Sequence, residues 1–330
     1  MEPDLAVVGI GNALVDVLVE TEPEVIEACG VPKGSMMLMA LDEAERIHDQ
    51  VGPGIERSGG SAANTAAGLA ALGAPAAFIG RVADDRLGKI FGHDIGSLGV
   101  VFGGTRSVGS GTGRCLILVT PDADRTMCTS LGVAAELDSD DIDESLVERA
   151  AVTYLEGYLF DLPPAKEAFR RAISVAHRAG RRVAMSLSDP FCVTRHRNDF
   201  AALVDSELDL LFANADEVCE LTGVDDVEEA CGRLRRPGLT VTVTRGALGA
   251  VTFAGDGPVV QVPAVAVDRV VDTTGAGDLY AAGYLFGWTR SLSPERCARL
   301  GAIAAAEIIS HLGARPEADL AALAAPTLSR

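Results

Sequence analysis

The residues best suited to chemistry lie in one stretch, Val270-Val271-Asp272-Thr273-Thr274-Gly275-Ala276-Gly277-Asp278-Leu279-Tyr280, which leads into the apolar helix predicted over Ala281 to Trp288. Small residues between a strand-like end and a helix start leave the N–H groups of Gly275, Ala276 and Gly277 free to face an anion, helped by the positive end of the helix. Such a site needs no lysine. Asp278 falls in the first helical turn, where an Asp also serves as an ordinary cap and dipole partner. Capping explains neither the run of small residues nor the preceding Asp272-Thr273-Thr274. A carboxylate beside an anion-holding loop can take a proton from a hydroxyl while N–H dipoles hold the phosphoryl group it attacks.

A second stretch, Ser58-Gly59-Gly60-Ser61-Ala62-Ala63-Asn64-Thr65-Ala66, continues to Ala70-Ala71-Leu72-Gly73. It reads as a glycine turn followed by a helix whose small face, Ala63, Ala66, Ala67 and Ala70, packs closely on a sheet. Gly59 and Gly60 are points where a ligand can approach the backbone, and Asn64 is a hydrogen-bonding candidate in an otherwise small, apolar helix. The histidines His48, His93, His177, His196 and His311 are dispersed without metal-ligand spacing. Gly9-Ile10-Gly11-Asn12 carries only a fragment of a dinucleotide fingerprint.

These residues need a scaffold, and the chain predicts one. Strands are expected at Leu5–Ile10, Val15–Val19, Ser35–Met39, Ala76–Ile79, Val152–Leu155, Arg182–Met185 and Leu208–Phe212. Helices are expected at Asp42–Gln50, Ala62–Leu72, Arg86–Leu98, Pro164–Ala179 and near Asp199. Strands alternating with helices imply an α/β fold with a mostly parallel sheet covered on both faces. Cys115–Thr120 and Thr126–Thr129 flank the turn-like Pro121-Asp122-Ala123-Asp124 and read as a hairpin. With the early short strands they suggest a small β sheet assembled from segments about 12–55 and 103–130. No linker divides the chain, so residues 1–330 read as one domain.

Composition removes several function classes. With 28 Lys+Arg against 47 Asp+Glu among 330 residues, the net charge of −19 disfavours nucleic-acid and anionic-membrane partners. Only Lys33, Lys89 and Lys166 are lysines and none precedes Ser or Thr, which excludes the GxxxxGK[ST] phosphate loop. The 7 cysteines show no CxxC spacing, pointing to neither a disulfide framework nor a zinc knuckle, and a reducing cytoplasm is the expected location. The acidic start Met1-Glu2-Pro3-Asp4 lacks a basic secretory n-region. The uncharged run Ser58 to Gly80 holds Asn64, Pro75 and glycines, and reads as a buried α/β unit rather than a membrane span.

Together the two stretches resemble the amino- and carboxyl-terminal signatures of the ribokinase-like (PfkB) carbohydrate and nucleoside kinases, and further motifs follow in order. Gly11-Asn12-Ala13-Leu14-Val15-Asp16 resembles the sugar-binding loop, in the form seen in adenosine kinases. Asn214-Ala215-Asp216-Glu217 resembles the NxxE element, and Thr244-Arg245-Gly246-Ala247-Leu248-Gly249 resembles the ATP-side turn. The resemblance spans roughly residues 5 to 315. It implies a three-layer sandwich with a β lid, and transfer of the γ-phosphoryl of ATP to a primary hydroxyl. Asp278 would be the base beside the loop Gly275, Ala276 and Gly277. Asp16, Asn12, Asn64 and Gly60 would hold the acceptor. Asn214, Thr244, Gly246 and Gly249 would bind ATP, with Glu217 reaching Mg2+ through water; K+ is a further candidate cofactor.

Asn214 and Glu217 also have the spacing of a helix capping box. Arg125, in the hairpin, either reaches phosphate on lid closure or is a solvated surface residue. Within the family, Tyr154 to Leu159 and Leu187 to Phe191 look most like bacterial adenosine kinases. Met36-Met37-Leu38-Met39 offers a purine an apolar wall, and Phe102 and Phe160 are candidates for stacking. The implied reaction is therefore phosphorylation of the adenosine 5′-hydroxyl. The alternatives are a kinase of ribose, fructose or another purine nucleoside, and a non-catalytic sugar or nucleoside sensor. The expected form is a monomer or homodimer.

Overall fold

The computed structural model describes residues 2–122 and 124–329. Val-rich Leu5–Ile10 is buried on both sides because it forms an inner strand of a nine-stranded sheet. Across the sheet run Val260–Val262, Ala250–Ala254, Thr240–Thr244, Leu210–Asn214, Arg182–Ser186, Ala150–Glu156, Leu5–Ile10, Ala76–Ile79 and Val101–Phe102. Pairing is parallel from Thr240–Thr244 to Val101–Phe102, and antiparallel only at the Val260–Val262 end. One face is covered by helices Ser61–Ala71, Ala276–Trp288 and Pro294–Ile308. The other is covered by Pro163–Arg178, Pro190–Ser206 and Ala215–Thr222. This is the expected sandwich. Ala276–Trp288 is apolar on nearly every side because it lies between the Ser61–Ala71 and Pro294–Ile308 helices.

The lid is a five-stranded mixed sheet in the order Met36–Leu38, Arg125–Gly132, Thr112–Val119, Leu14–Glu20, Ile55–Gly59. Period-2 alternation gives it two chemistries. Val15, Val17, Leu116, Leu118 and Cys128 face the core with Ile26 and Ile47, from helices Pro23–Cys29 and Leu41–Val51. Leu18, Cys115, Ile117, Val119 and Met127 form a separate apolar cluster on the opposite face.

The structure corrects several sequence expectations. Ser58 and Gly59 end an edge strand of the lid rather than forming a turn. The segment between Val262 and Gly275 is irregular, so no strand leads into the anion loop; Val271 N–H instead donates to Ile309 O at 2.8 Å. The helix near Asp199 begins at Pro190 and breaks its geometry at His196. The hairpin strands lengthen to Thr112–Val119 and Arg125–Gly132, while Ala123 of the expected turn lies outside the described residues, as does Met1 of the acidic start. Every cysteine is a free thiol. Among the described residues no helix is long and apolar enough to cross a membrane.

Candidate active site

Parallel strands deliver their carboxyl ends to one edge of the sheet, where ligands of open α/β sheets bind. Gly11 and Asn12 follow Ile10, Glu156 ends its strand, and Asn214 and Thr244 are register partners at the ends of adjacent strands. Asp278 reaches this edge from the first turn of Ala276–Trp288. A pocket between body and lid is lined by Asp16, Leu18, Arg57, Asn64, Arg125 and Arg315, among others.

Gly275 adopts φ 76°, a conformation that favours glycine, and a Cβ there would lie 2.8 Å from Ala314 Cβ. Thr274 N–H donates to Asp272 Oδ1 at 2.9 Å and Gly313 N–H to Asp272 Oδ2 at 2.8 Å, so Asp272 ties the anion loop to the carboxyl-terminal segment. The N–H groups of Gly275 and Gly277 find no acceptor among the described residues. Ala276 departs from the expectation: its N–H closes a turn on Thr273 O at 3.1 Å. The loop thus offers two free N–H groups beside a helix amino terminus.

The Asp278 carboxylate is part-buried. It accepts from Ser61 Oγ at 2.6 Å and from Asn64 Nδ2 at 2.9 Å. Burial pushes its pKa above the ordinary Asp range, outweighing these two bonds and the field of Arg315. A carboxyl raised in this way is a better proton acceptor than an ordinary surface Asp.

Asp16 points from the lid toward the same space, and no donor among the described residues hydrogen-bonds its carboxylate. Burial raises its pKa to about 6, opposed by Arg315 and reinforced by Asp278. Its oxygens are therefore free to accept hydroxyl groups. Gly60, at φ 98°, brings the backbone against Asn12, where a Cβ would collide with the Asn12 carbonyl oxygen. Asn12 is held from the other side. Its Nδ2 donates to Glu156 Oε1 at 2.8 Å, its N–H reaches the same oxygen at 3.2 Å, and Ala62 N–H donates to Glu156 Oε2 at 2.8 Å. Asn12 Oδ1 is buried and unpartnered.

Arg125 is not a solvated hairpin residue. Its side chain is 11% exposed, pairs with Asp272, and donates from Nη1 to Thr274 Oγ1 at 3.1 Å. It joins the lid directly to the anion loop, with Nε and Nη2 left buried and unpartnered.

After the Leu210–Asn214 strand, the capping box forms. Asn214 Oδ1 accepts from Glu217 N–H at 2.8 Å, while Glu217 accepts from Asn214 N–H at 2.9 Å and from Asn214 Nδ2 at 2.8 Å. Burial raises the Glu217 pKa to about 7. Thr244 leads into a tight turn in which Arg245 N–H donates to Gly249 O at 2.7 Å and both Gly246 and Gly249 have positive φ. No group of three His, Cys, Asp or Glu side chains spaced to hold a metal occurs among the described residues. The Glu217 carboxylate has both oxygens engaged by Asn214, which fits contact with a hydrated Mg2+ through water rather than direct ligation.

Sequence reasoning missed Ser61, Glu156 and Arg315 as members of the site. Glu156 was visible as an acid at a strand end. Arg315 carried no local signal, because its partner Asn64 is 251 positions away. Neither proposed stacking ring is at the site: Phe102 lies 6.2 Å from Phe78 at the sheet edge, and Phe160 stacks on Phe200 at 4.4 Å. An aromatic side chain whose hydroxyl feels the charges of Asp278, Asp189, Glu156 and Glu217 is Tyr158, 41% exposed.

Comparison with known proteins agrees with this arrangement. Residues 33–320 match the model of the pfkB family carbohydrate kinases. The adenosine kinase from Sinorhizobium meliloti is 45% identical, with 97% of this chain and 98% of that one covered and a TM-score of 0.87. A probable sugar kinase from Rhizobium etli CFN 42 is 41% identical over 98% of each chain, with a TM-score of 0.89. An ATP-dependent ribose-1-phosphate kinase from Halopiger xanaduensis is 32% identical, covering 81% of this chain and 86% of its own.

Proposed function

The chain belongs to the pfkB family of carbohydrate kinases and is an ATP-dependent kinase acting on a hydroxyl group, and we propose that its acceptor is the 5′-hydroxyl of adenosine. The observation that carries this choice is the lid face beside Asp16. Strand register sets Met36, Met127, Ile117, Leu18 and Ile55 in one row across the sheet. The row next to it contains Leu38, Thr129, Cys115, Asp16 and Arg57. Leu18 and Ile117 of the first row line the pocket beside Asp16 and Asn64, an apolar wall that supports a flat base over a wholly polar free sugar. Tyr158 supplies an exposed ring on the body side. The 45% identity to an adenosine kinase supports the same reading.

In this reaction Asp16 accepts the ribose hydroxyls, and Asn12, fixed by Glu156, lines the sugar end. Asp278 takes the proton of the 5′-hydroxyl as that oxygen bonds to the γ-phosphorus and the bond from the γ-phosphorus to the β–γ bridging oxygen breaks. The free N–H groups of Gly275 and Gly277 face the charge on the transferring phosphoryl group, and ADP leaves with the bridging oxygen. Bound Mg2+ would neutralise the β- and γ-phosphates, with Glu217 holding one of its waters. Arg125 closes the lid over the loop and keeps bulk water from the phosphoryl group.

A second reading rests on Arg57, Arg125 and Arg315 in the pocket: an acceptor bearing its own phosphate would meet three guanidinium groups. An ADP-release assay on adenosine, inosine, ribose, fructose and ribose 1-phosphate decides between them. The proposal expects the highest kcat/KM with adenosine. Preference for ribose 1-phosphate would install the second reading, and preference for a free sugar or turnover of none would overturn both.

A further inference from the structure

We propose that Arg315 is a positioning residue for phosphoryl transfer, clamping Asn64 so that its amide N–H, rather than its carbonyl, faces the Asp278 carboxylate. The inference rests on the reading of Asp278 as the base.

Arg315 is 8% exposed and lies in the irregular segment after helix Pro294–Ile308. Its Nη1 donates to Asn64 Oδ1 and its Nη2 to the Ser58 carbonyl oxygen, with a further bond from Nη2 to Ser58 Oγ at 2.9 Å. Ser58 is anchored in turn: its Oγ donates to Asp94 Oδ2 at 2.5 Å and its N–H to the same oxygen at 2.8 Å. One guanidinium therefore joins the carboxyl-terminal segment, the lid edge strand and the helix that carries Asn64.

The chemistry of the groups sets the direction of the chain. A guanidinium has donors only, so Arg315 can be met only by the carbonyl end of the Asn64 amide. The amide nitrogen is then turned toward Asp278, where Nδ2 donates to Oδ2 at 2.9 Å. Without Arg315 the Asn64 carbonyl loses the donor that fixes it, and the carboxylate of Asp278 alone is left to hold the amide nitrogen in place. The surroundings of Asp278 sharpen the need. Asp16 faces it from the lid, and Glu156, Tyr154 and Tyr158 feel its charge from the end of a neighbouring strand. Ser61 and Asn64 supply its hydrogen bonds, and Arg315 is the cation acting on it. The guanidinium opposes a ring of acidic groups and favours the ionised base.

The test is the pH dependence of kcat/KM for the best acceptor of the substrate panel in Arg315→Met, Arg315→Lys, Asn64→Ala and the Asn64→Ala/Arg315→Met double variant, with thermal melting beside each. The acid limb should move up by about one pH unit in Arg315→Met, the shift expected on losing a nearby opposite charge. The loss should be larger on the acid limb than at pH 9, by up to about tenfold, and Arg315→Lys should restore part of the limb. The methionine substitution should cost less in the Asn64→Ala background than in wild type, because part of its effect passes through Asn64. If Arg315→Met does not fold, Arg315→Lys carries the test, with a smaller displacement of the limb expected. A loss equal at every pH, or full additivity of the two substitutions, would overturn the inference. Asp278→Asn separates the two failures: an inactive Asp278→Asn with an unmoved Arg315 profile sinks only the positioning role, whereas an active Asp278→Asn sinks the base itself.

Discussion

Replacing Asp278 by Asn isolates charge from shape. The carboxylate accepts from Ser61 Oγ at 2.6 Å and Asn64 Nδ2 at 2.9 Å. An amide can keep both contacts: its oxygen accepts from Asn64, and its nitrogen donates to the Ser61 hydroxyl, which accepts as readily as it donates. Burial already disfavours the charged form of Asp278, so the neutral amide should cost the fold little and can stabilise it. The proton acceptor is nevertheless gone. General-base catalysis contributes about 10²–10⁴-fold, or roughly 3–5 kcal/mol of barrier. The expected result is a kcat for ADP release at least about 100-fold below wild type, with an unchanged or raised Tm and calorimetric binding of adenosine retained. A correctly folded variant that keeps more than about a hundredth of wild-type kcat would refute the assignment of Asp278 as the base.

Two further outcomes are expected. Asp16→Ala removes an acceptor whose oxygens are otherwise unpaired and whose pKa burial raises to about 6. Because a hydrogen bond to a charged group contributes about 1.5–3 kcal/mol, kcat/KM for the nucleoside should fall about 10- to 150-fold without loss of Tm, and an unchanged KM and kcat would remove Asp16 from the site. Glu156 is fully buried, and its pKa rises from 4.5 to about 7, chiefly through burial. The folded chain thus binds this proton more tightly than the unfolded chain, and the group's contribution falls as pH rises from about 4.5 through about 7, by about 3 kcal/mol. Melting curves of Glu156→Gln should show its Tm gaining on wild type between pH 5 and pH 8; a difference in Tm independent of pH would contradict the burial argument.

Local signals made much of this legible in the sequence. The run of small residues before Asp278 announced a loop with exposed N–H groups, because capping alone needs no such run. Asn214 and Glu217, three residues apart, form the capping box that their spacing predicts. Alternating strands and helices carried the parallel sheet. What stayed hidden depends on distant contacts or weak patterns. The lid strand Ile55–Gly59 contains Glu56 and Arg57 and ends in glycine, so its composition reads as a turn; only pairing with Leu14–Glu20 makes it a strand. Arg125 left two readings open, phosphate contact or a solvated hairpin residue, because its ion-pair partner Asp272 belongs to another part of the chain. Arg315 is invisible for the same reason. The phenylalanines suggested for stacking pack against other rings of the fold instead, since period alone does not say which side of an element meets ligand.

The central claim is transfer of phosphate from ATP to one particular oxygen. The most direct measurement is 31P NMR of the product formed from ATP and adenosine by the wild-type chain. The account predicts adenosine 5′-monophosphate, appearing in step with ADP. A 2′- or 3′-monophosphate, or ADP accumulating with inorganic phosphate and no phosphorylated nucleoside, would contradict it.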